Sequence, residues 1–272
     1  MQRFGCLGAL LAAAALAAPA HAQSGNAYTL QQRGMNETFR LDVGASFQTF
    51  SSAARLDASG GAPGTDLGLE NGLGLPDSKT TLRADGTLRL GRRMSLQFGY
   101  RTADRAGSAV IARDVAWGDQ TYRASARVDT RMKVDLAELY VAWALVNAGD
   151  TEFAVMVGAT GAFAKASLAA AGAGSEERSV SAPLPAVGAF LRYALYPRVF
   201  AWARVKGLTA TVSGTHGSYL DWSAGADFFL SKNFGIGGGY GFTKVDVDHR
   251  KDRTYAISYE TKGPLAYVSI AF

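Results

Sequence analysis

The chain has 272 residues and a formal net charge of +5, from 28 basic and 23 acidic residues. The basic residues are dispersed, mostly with acidic neighbours, which excludes the stripe that nucleic acid requires. The single cysteine, Cys6, excludes a disulfide framework and a thiolate metal site.

Reading from the N-terminus, Arg3 gives a positive start and Phe4 to Ala18 is an almost unbroken apolar run. Pro19 ends the run just before Ala20-His21-Ala22. A short apolar run followed directly by a small-residue box is the layout of a cleaved secretory signal, not of a spanning helix. Residues 1–22 are therefore expected to leave by Sec-type export, with cleavage near Ala22–Gln23. A short periplasmic segment at 23–37 and one barrel region at 38–272 would remain. Cys6 goes with the signal, so thiol catalysis is excluded in the mature chain. Beyond the signal no apolar stretch of about 18 residues recurs, which excludes membrane-spanning helices.

From Phe39 onward the dominant pattern has period two, the signature of strands with one greasy and one polar face. Phe39, Leu41, Val43, Ala45 and Phe47 alternate with Arg40, Asp42, Gly44, Ser46 and Gln48. Further strands are expected at 82–90, 96–101, 128–136, 153–159 and 187–195. A seventh, near 199–211, is out of phase: Phe200 and Trp202 share parity with Arg204 and Lys206. Either a bulge shifts it or the two aromatics point inward near the rim. Trp222 and Phe228 mark the eighth strand. In the ninth, Phe234, Ile236, Tyr240 and Phe242 oppose glycines at 235, 237, 239 and 241.

The links alternate in length. Tight turns fall at 91–93, 147–150, 196–198 and 231–233, and longer polar connections at 51–78, 105–123, 166–182, 213–217 and 249–253. Short turns on one side and long loops on the other are the layout of an outer-membrane barrel with the short side periplasmic. In the first long connection Leu67, Leu69, Leu73 and Leu75 alternate with polar or small residues, as in a short β extension or an inward cap. The fold class is thus all-β: a transmembrane antiparallel up-and-down β-barrel of ten strands, with eight or twelve as alternatives.

A soluble sandwich or lipocalin-like barrel would show the same alternation, because period two does not say which face is wet. Two features favour the membrane. Phe39, Tyr100, Tyr140, Trp143, Tyr193, Trp222, Tyr240 and Tyr267 recur near strand ends, where an interfacial girdle would place them. The chain also ends Leu265 to Phe272 (LAYVSIAF), with Val268 and Ile270 at alternate positions before Phe272. That tail resembles the C-terminal recognition signal of outer-membrane proteins, which implies the barrel-assembly machinery as a partner during biogenesis. More narrowly, Thr65 to Leu90 and Lys262 to Phe272 resemble an uncharacterised family of proteobacterial outer-membrane barrels. The likeness implies the fold and a Gram-negative cell envelope, and it carries no catalytic motif.

Such a barrel should turn Arg83, Asp85, Arg89, Arg101, Arg127, Asp129, Arg131, Lys133, Asp135, Arg192, Asp221 and Asp227 into its lumen, with Glu152, Arg204 and Lys206. Charges in a narrow space must pair, so an internal ion-pair network is expected. Two functions follow: a structural barrel plugged by that network, or a narrow, porin-like channel along the glycine column at 235–241. The alternative is an outer-membrane hydrolase at the loop mouth. His216 and Ser218 with Asp221 superficially resemble lipid A deacylases, although the expected glutamate is missing, residue 230 being Leu. Asp246, Asp248 and His249 resemble the Asp/His loops of ten-stranded outer-membrane proteases, without a convincing second acidic pair. No cofactor or metal motif is present. Outer-membrane lipids and, from the mild basic excess, lipopolysaccharide are the expected surroundings; the oligomeric state is not legible.

Overall fold

The computed structural model describes residues 37–170, 174–212, 215–249 and 254–272. The signal segment and most of 23–37 lie outside these residues. Strand β1 (Phe39–Leu56) leads to a two-residue strand β2 (Leu67–Gly68) and one helical turn α1 (Leu69–Leu73). Next come β3 (Ser78–Arg89), β4 (Met94–Val110) and a small hairpin of β5 (Val115–Trp117) and β6 (Gln120–Tyr122). The remaining strands are β7 (Arg127–Ala148), β8 (Thr151–Ala170), β9 (Gly174–Tyr196), β10 (Val199–Val212), β11 (Thr215–Phe229), β12 (Phe234–His249) and β13 (Tyr255–Ala271).

Ten of these, all but β2, β5 and β6, pair antiparallel in chain order as the barrel wall, and β2 adds to the same sheet beside β1. The sheet closes where β13 pairs with β1, from Arg40 opposite Ala271 to Leu56 opposite Tyr255. Closure leaves no edge, so every strand can satisfy its backbone groups inside hydrocarbon. The turns at one end of the barrel are short, as the sequence predicts. The long connections are shorter than expected, because β1, β4, β8 and β9 run on through much of 51–56, 105–110 and 166–182.

The barrel has two storeys of opposite polarity. β7 has 22 residues, and at about 3.3 Å each it spans about 70 Å. Even tilted by about 40°, it far exceeds the roughly 30 Å hydrocarbon core. In the lower storey the outward side chains are apolar and exposed, among them Val43, Phe47, Leu139, Val157, Ile236 and Val268. The side chains that face inward in this storey include the buried charges of Arg83, Asp85, Glu138, Lys206 and Asp221.

In the upper storey the sign reverses along a single strand. On β7 Val128, Met132, Val134 and Leu136 turn inward and are buried, whereas Arg127, Asp129 and Arg131 are exposed outside. Arg127, Asp129, Arg131, Lys133 and Asp135 therefore do not enter the lumen, contrary to the sequence reading. This part of the strand stands above the bilayer, so its outer face meets water and its inner face must be dry. Outside, Arg131 pairs with Asp104 at 2.6 Å and Lys133 with Asp135 at 3.1 Å.

Two predicted girdle residues also face inward. Tyr140 is buried with its hydroxyl 2.7 Å from Thr160 Oγ1, and Tyr267 lies in the lumen. Tyr100, Trp143, Trp222 and Tyr240 are exposed on the outer surface. On β10 the aromatics point inward at the short-turn end, just after a register shift at Val199/Phe200. Phe200 packs edge-on against Phe229 at 5.6 Å.

The dry interior of the upper storey is completed by the two long connections. Leu67, Leu69, Leu73 and Leu75 are all buried, with Val115, Trp117 and Tyr122 of the β5–β6 hairpin. The first connection is thus an inward cap. Gly74 stops α1 with φ +69, and a side chain there would meet the Ser108 carbonyl at 2.7 Å. Arg105, 1% exposed, ties the cap to the wall. It donates to Glu70 Oε1 at 2.6 Å, Ser52 Oγ at 2.8 Å and the Pro76 carbonyl at 3.2 Å, and lies over the Phe50 ring.

Burial opposes ionisation of Glu70, but the Arg105 guanidinium and the Ser52 N–H outweigh it, so its carboxyl sits below the usual glutamate range. A depressed acid contributes stability that is present at neutral pH and is lost as pH falls through its folded value. The cap is accordingly expected to resist proteolysis on intact cells at neutral pH. Nicking by an acid-active protease should rise only as pH drops below the ordinary range of about 4.3. Glu70→Gln should be nicked more readily at neutral pH, and equal resistance would show that this tie is not what holds the cap.

Candidate functional site: a sealed lumen

Strand parity places one set of polar side chains inside the lower storey, where the lumen is too narrow to solvate them separately. At the short-turn end Arg192 donates to Glu37 Oε1 at 2.5 Å and to Asp227 at 3.4 Å. Arg40 reaches Asp227 and Asp42, each at 2.9 Å. Beside them Arg89 forms a forked pair with Glu152, at 2.6 and 2.9 Å. One step higher Asp85 receives Arg83 at 2.5 Å and Arg204 at 3.5 Å.

The tightest layer lies above these. Glu138 and Asp221 stand between two cations that each reach both acids. Arg101 lies 3.1 Å from Glu138 and 2.6 Å from Asp221; Lys206 lies at 2.5 Å and 3.3 Å. Tyr219 and Thr243 donate to the same carboxylates. Four charges from β4, β7, β10 and β11 thus bar the barrel as two interlocked ion pairs, a geometry that compensates the loss of hydration.

Of the expected lumen residues, Arg83, Asp85, Arg89, Arg101, Arg192, Asp221 and Asp227 lie in this network. Arg40, Glu138 and Tyr267 belong to it and were missed. Their parity was available: Glu138 and Tyr140 alternate with outward Leu139, Val141 and Trp143.

The glycine column is not an opening. A side chain at Gly237 would stand 2.3 Å from the Tyr267 ring, and one at Gly225 would stand 2.8 Å from Trp202. The glycines make room for these rings. Trp202 Nε1 donates to Tyr267 Oη at 2.7 Å, and Tyr267 donates to Asp227.

The hydrolase candidates divide between two faces. Strand pairing sets His216 opposite Asp248 and Ser218 opposite Asp246, near the long-loop end. His216 is exposed, with Nδ1 2.9 Å from Thr211 Oγ1; Asp246 accepts from Ser258 at 2.7 Å; His249 stacks on Tyr255. Asp221 lies on the opposite face, buried in the lumen pairs, because it has odd parity where His216 and Ser218 have even. Among the described residues no group of three or more His, Cys, Asp or Glu is placed to hold a metal ion.

Closure of ten antiparallel strands, with apolar side chains outside and charges within, decides the architecture. The fold is that of an outer-membrane barrel. The chain is similar to the outer membrane protease OmpT from Escherichia coli, with a TM-score of 0.58 and 10% identity over 86% of this chain and 96% of that one. It also matches the translocator domain of autotransporter NalP from Neisseria meningitidis (TM-score 0.43, 15% identity, 91% and 94% covered). A third match is Ail, the attachment invasion locus protein of Yersinia pestis (0.34, 12%, 85% and 98%). At 10% identity the likeness to OmpT concerns the fold alone. No protein-family model and no curated protein matches the chain.

Proposed function

We propose that this protein is a structural barrel of the Gram-negative outer membrane, closed to solutes and displaying a charged collar above the lipid. The observation that carries this reading is double closure of one lumen. The upper end is filled by the apolar cap and the β5–β6 hairpin, and the middle by the paired charges of Arg101, Lys206, Glu138 and Asp221. A narrow channel would need both to part.

The remaining features fit the same role. Residues 1–22 would direct export. Val268 and Ile270 lie on the outward face at the end of β13 and Phe272 is exposed just beyond it, where the assembly machinery could read them. The outer apolar band would face acyl chains, and the collar above it the polar parts of lipopolysaccharide. Refolded protein is expected to give no unitary current in planar bilayers. A steady conductance of single-channel size would overturn the closed reading.

A further inference from the structure

The short turns join β3 to β4, β7 to β8, β9 to β10 and β11 to β12, so they stand at alternate strand boundaries around one rim. In these turns Arg92, Arg93, Arg198 and Lys232 are basic and only Asp150 is acidic. All four cations are exposed, and none of their side chains has a hydrogen bond or ion pair among the described residues. The opposite collar differs, since Arg131, Lys133 and Lys165 there hold acids at 2.6, 3.1 and 2.9 Å. Three of the free cations stand two positions from exposed apolar or aromatic side chains. Leu90 precedes Arg92, Tyr196 precedes Arg198, and Leu230 and Phe234 flank Lys232. Two extended residues cover about 7 Å, and the headgroup zone beyond the hydrocarbon is about 5–8 Å deep on each side. With the apolar band in hydrocarbon, these charges sit at headgroup level.

We propose that this rim binds the phosphodiester headgroups of anionic phospholipids. The inference rests on the reading that the outer apolar band faces acyl chains, and adds the lipid class that its short-turn edge selects. With the short turns on the periplasmic side, these are lipids of the periplasmic leaflet. Headgroup phosphates offer oxygens to guanidinium and ammonium groups that have no acid of their own, and such charge-assisted bonds are the strong ones. The spacing favours lipid over a globular acidic partner. Cations on three hairpins spread around the circumference face a surrounding shell of headgroups, whereas a protein partner needs them on one side. Near an anionic surface each cation favours binding about fivefold.

The test uses the refolded full barrel in phosphatidylcholine vesicles carrying spin-labelled phosphatidylglycerol or spin-labelled phosphatidylcholine, and reads the fraction of each held at the protein surface. Averaged over the lipid shell, phosphatidylglycerol is expected to associate roughly twofold or more above phosphatidylcholine at low salt. The two should become equal near about 1 M salt, where screening acts within about 3 Å. Combining Arg92→Gln, Arg93→Gln, Arg198→Gln and Lys232→Gln should abolish the preference. Arg92→Lys, Arg93→Lys and Arg198→Lys together should keep it, because the charge is retained. A preference that survives the four glutamine changes overturns the rim site. So does equal association of both lipids with the unaltered barrel, while held lipid of either kind leaves the apolar band standing. No held lipid at all overturns the band and the rim together. Inorganic phosphate replaces chloride at matched ionic strength in a parallel series, and loss of the preference there assigns the rim to a free anion and overturns the lipid.

Discussion

Replacing Lys206 with methionine is expected to lower the unfolding free energy by about 3–5 kcal/mol, the usual cost of breaking a buried pair from one side. Lys206 is 1% exposed and lies within 3.3 Å of both Glu138 and Asp221. Without it, two carboxylates share Arg101 in a space with no room to hydrate the second. The side chain also lies over the Tyr140 ring, with Nζ 5.2 Å from its centre, and methionine keeps most of that packing. Lost volume therefore accounts for little of the effect. Urea titration in lipid vesicles measures the change. Adding Asp221→Asn to Lys206→Met should recover a large part of it, because residues in one network are coupled and the second change removes the stranded charge. A single-variant loss below about 1 kcal/mol, typical of exposed pairs, would mean that water reaches this layer, and the barred lumen would be wrong.

The alternation at 39–48 gave the fold because one rule holds along its whole length: greasy out, polar in. At 128–136 the same rule reads backwards. Period two reports that faces differ but not which is wet, and β7 crosses from lipid to water part-way along. The cue that was available is the switch of outward residues from Leu139 and Val141 to Lys133 and Arg131, a change in chemistry at constant parity. Arg105 was not legible at all. It sits in an Ala-, Gly- and Ser-rich stretch that reads as loop, and its role depends on Glu70, 35 positions away. The leucines at 67–75 left a short β extension or an inward cap open, and their burial selects the cap, because apolar side chains spaced through a loop have nowhere dry to go but inward. Tyr140 and Tyr267 were drawn to the girdle by residue type, although parity set them with Glu138 and Ser269 inside.

Gly237→Ala separates the two readings of the glycine column, since a water path would accept a methyl group and a packed wall would not. The added Cβ would lie 2.3 Å from two ring carbons of Tyr267 and 2.5 Å from its hydroxyl oxygen. The ring must move, and inserting atoms into a packed interior costs about 1–3 kcal/mol. Movement also breaks the bond from Tyr267 to the Asp227 carboxylate, and hydrogen bonds to charged groups contribute about 1.5–3 kcal/mol. Trp202 then loses its acceptor, and Asp227, held by Arg40 and Arg192, loses its hydroxyl donor. Gly241→Ala is the matched control on the same inward face: its nearest neighbour, Leu265 Cδ2, would be 3.6 Å away, an ordinary contact. In a Tyr267→Ala background, where the ring is already gone, Gly237→Ala should add no more than about 0.5 kcal/mol, the limit for independent sites. Equal urea midpoints for Gly237→Ala and Gly241→Ala would show that the ring does not occupy this wall, and the column would again be open space.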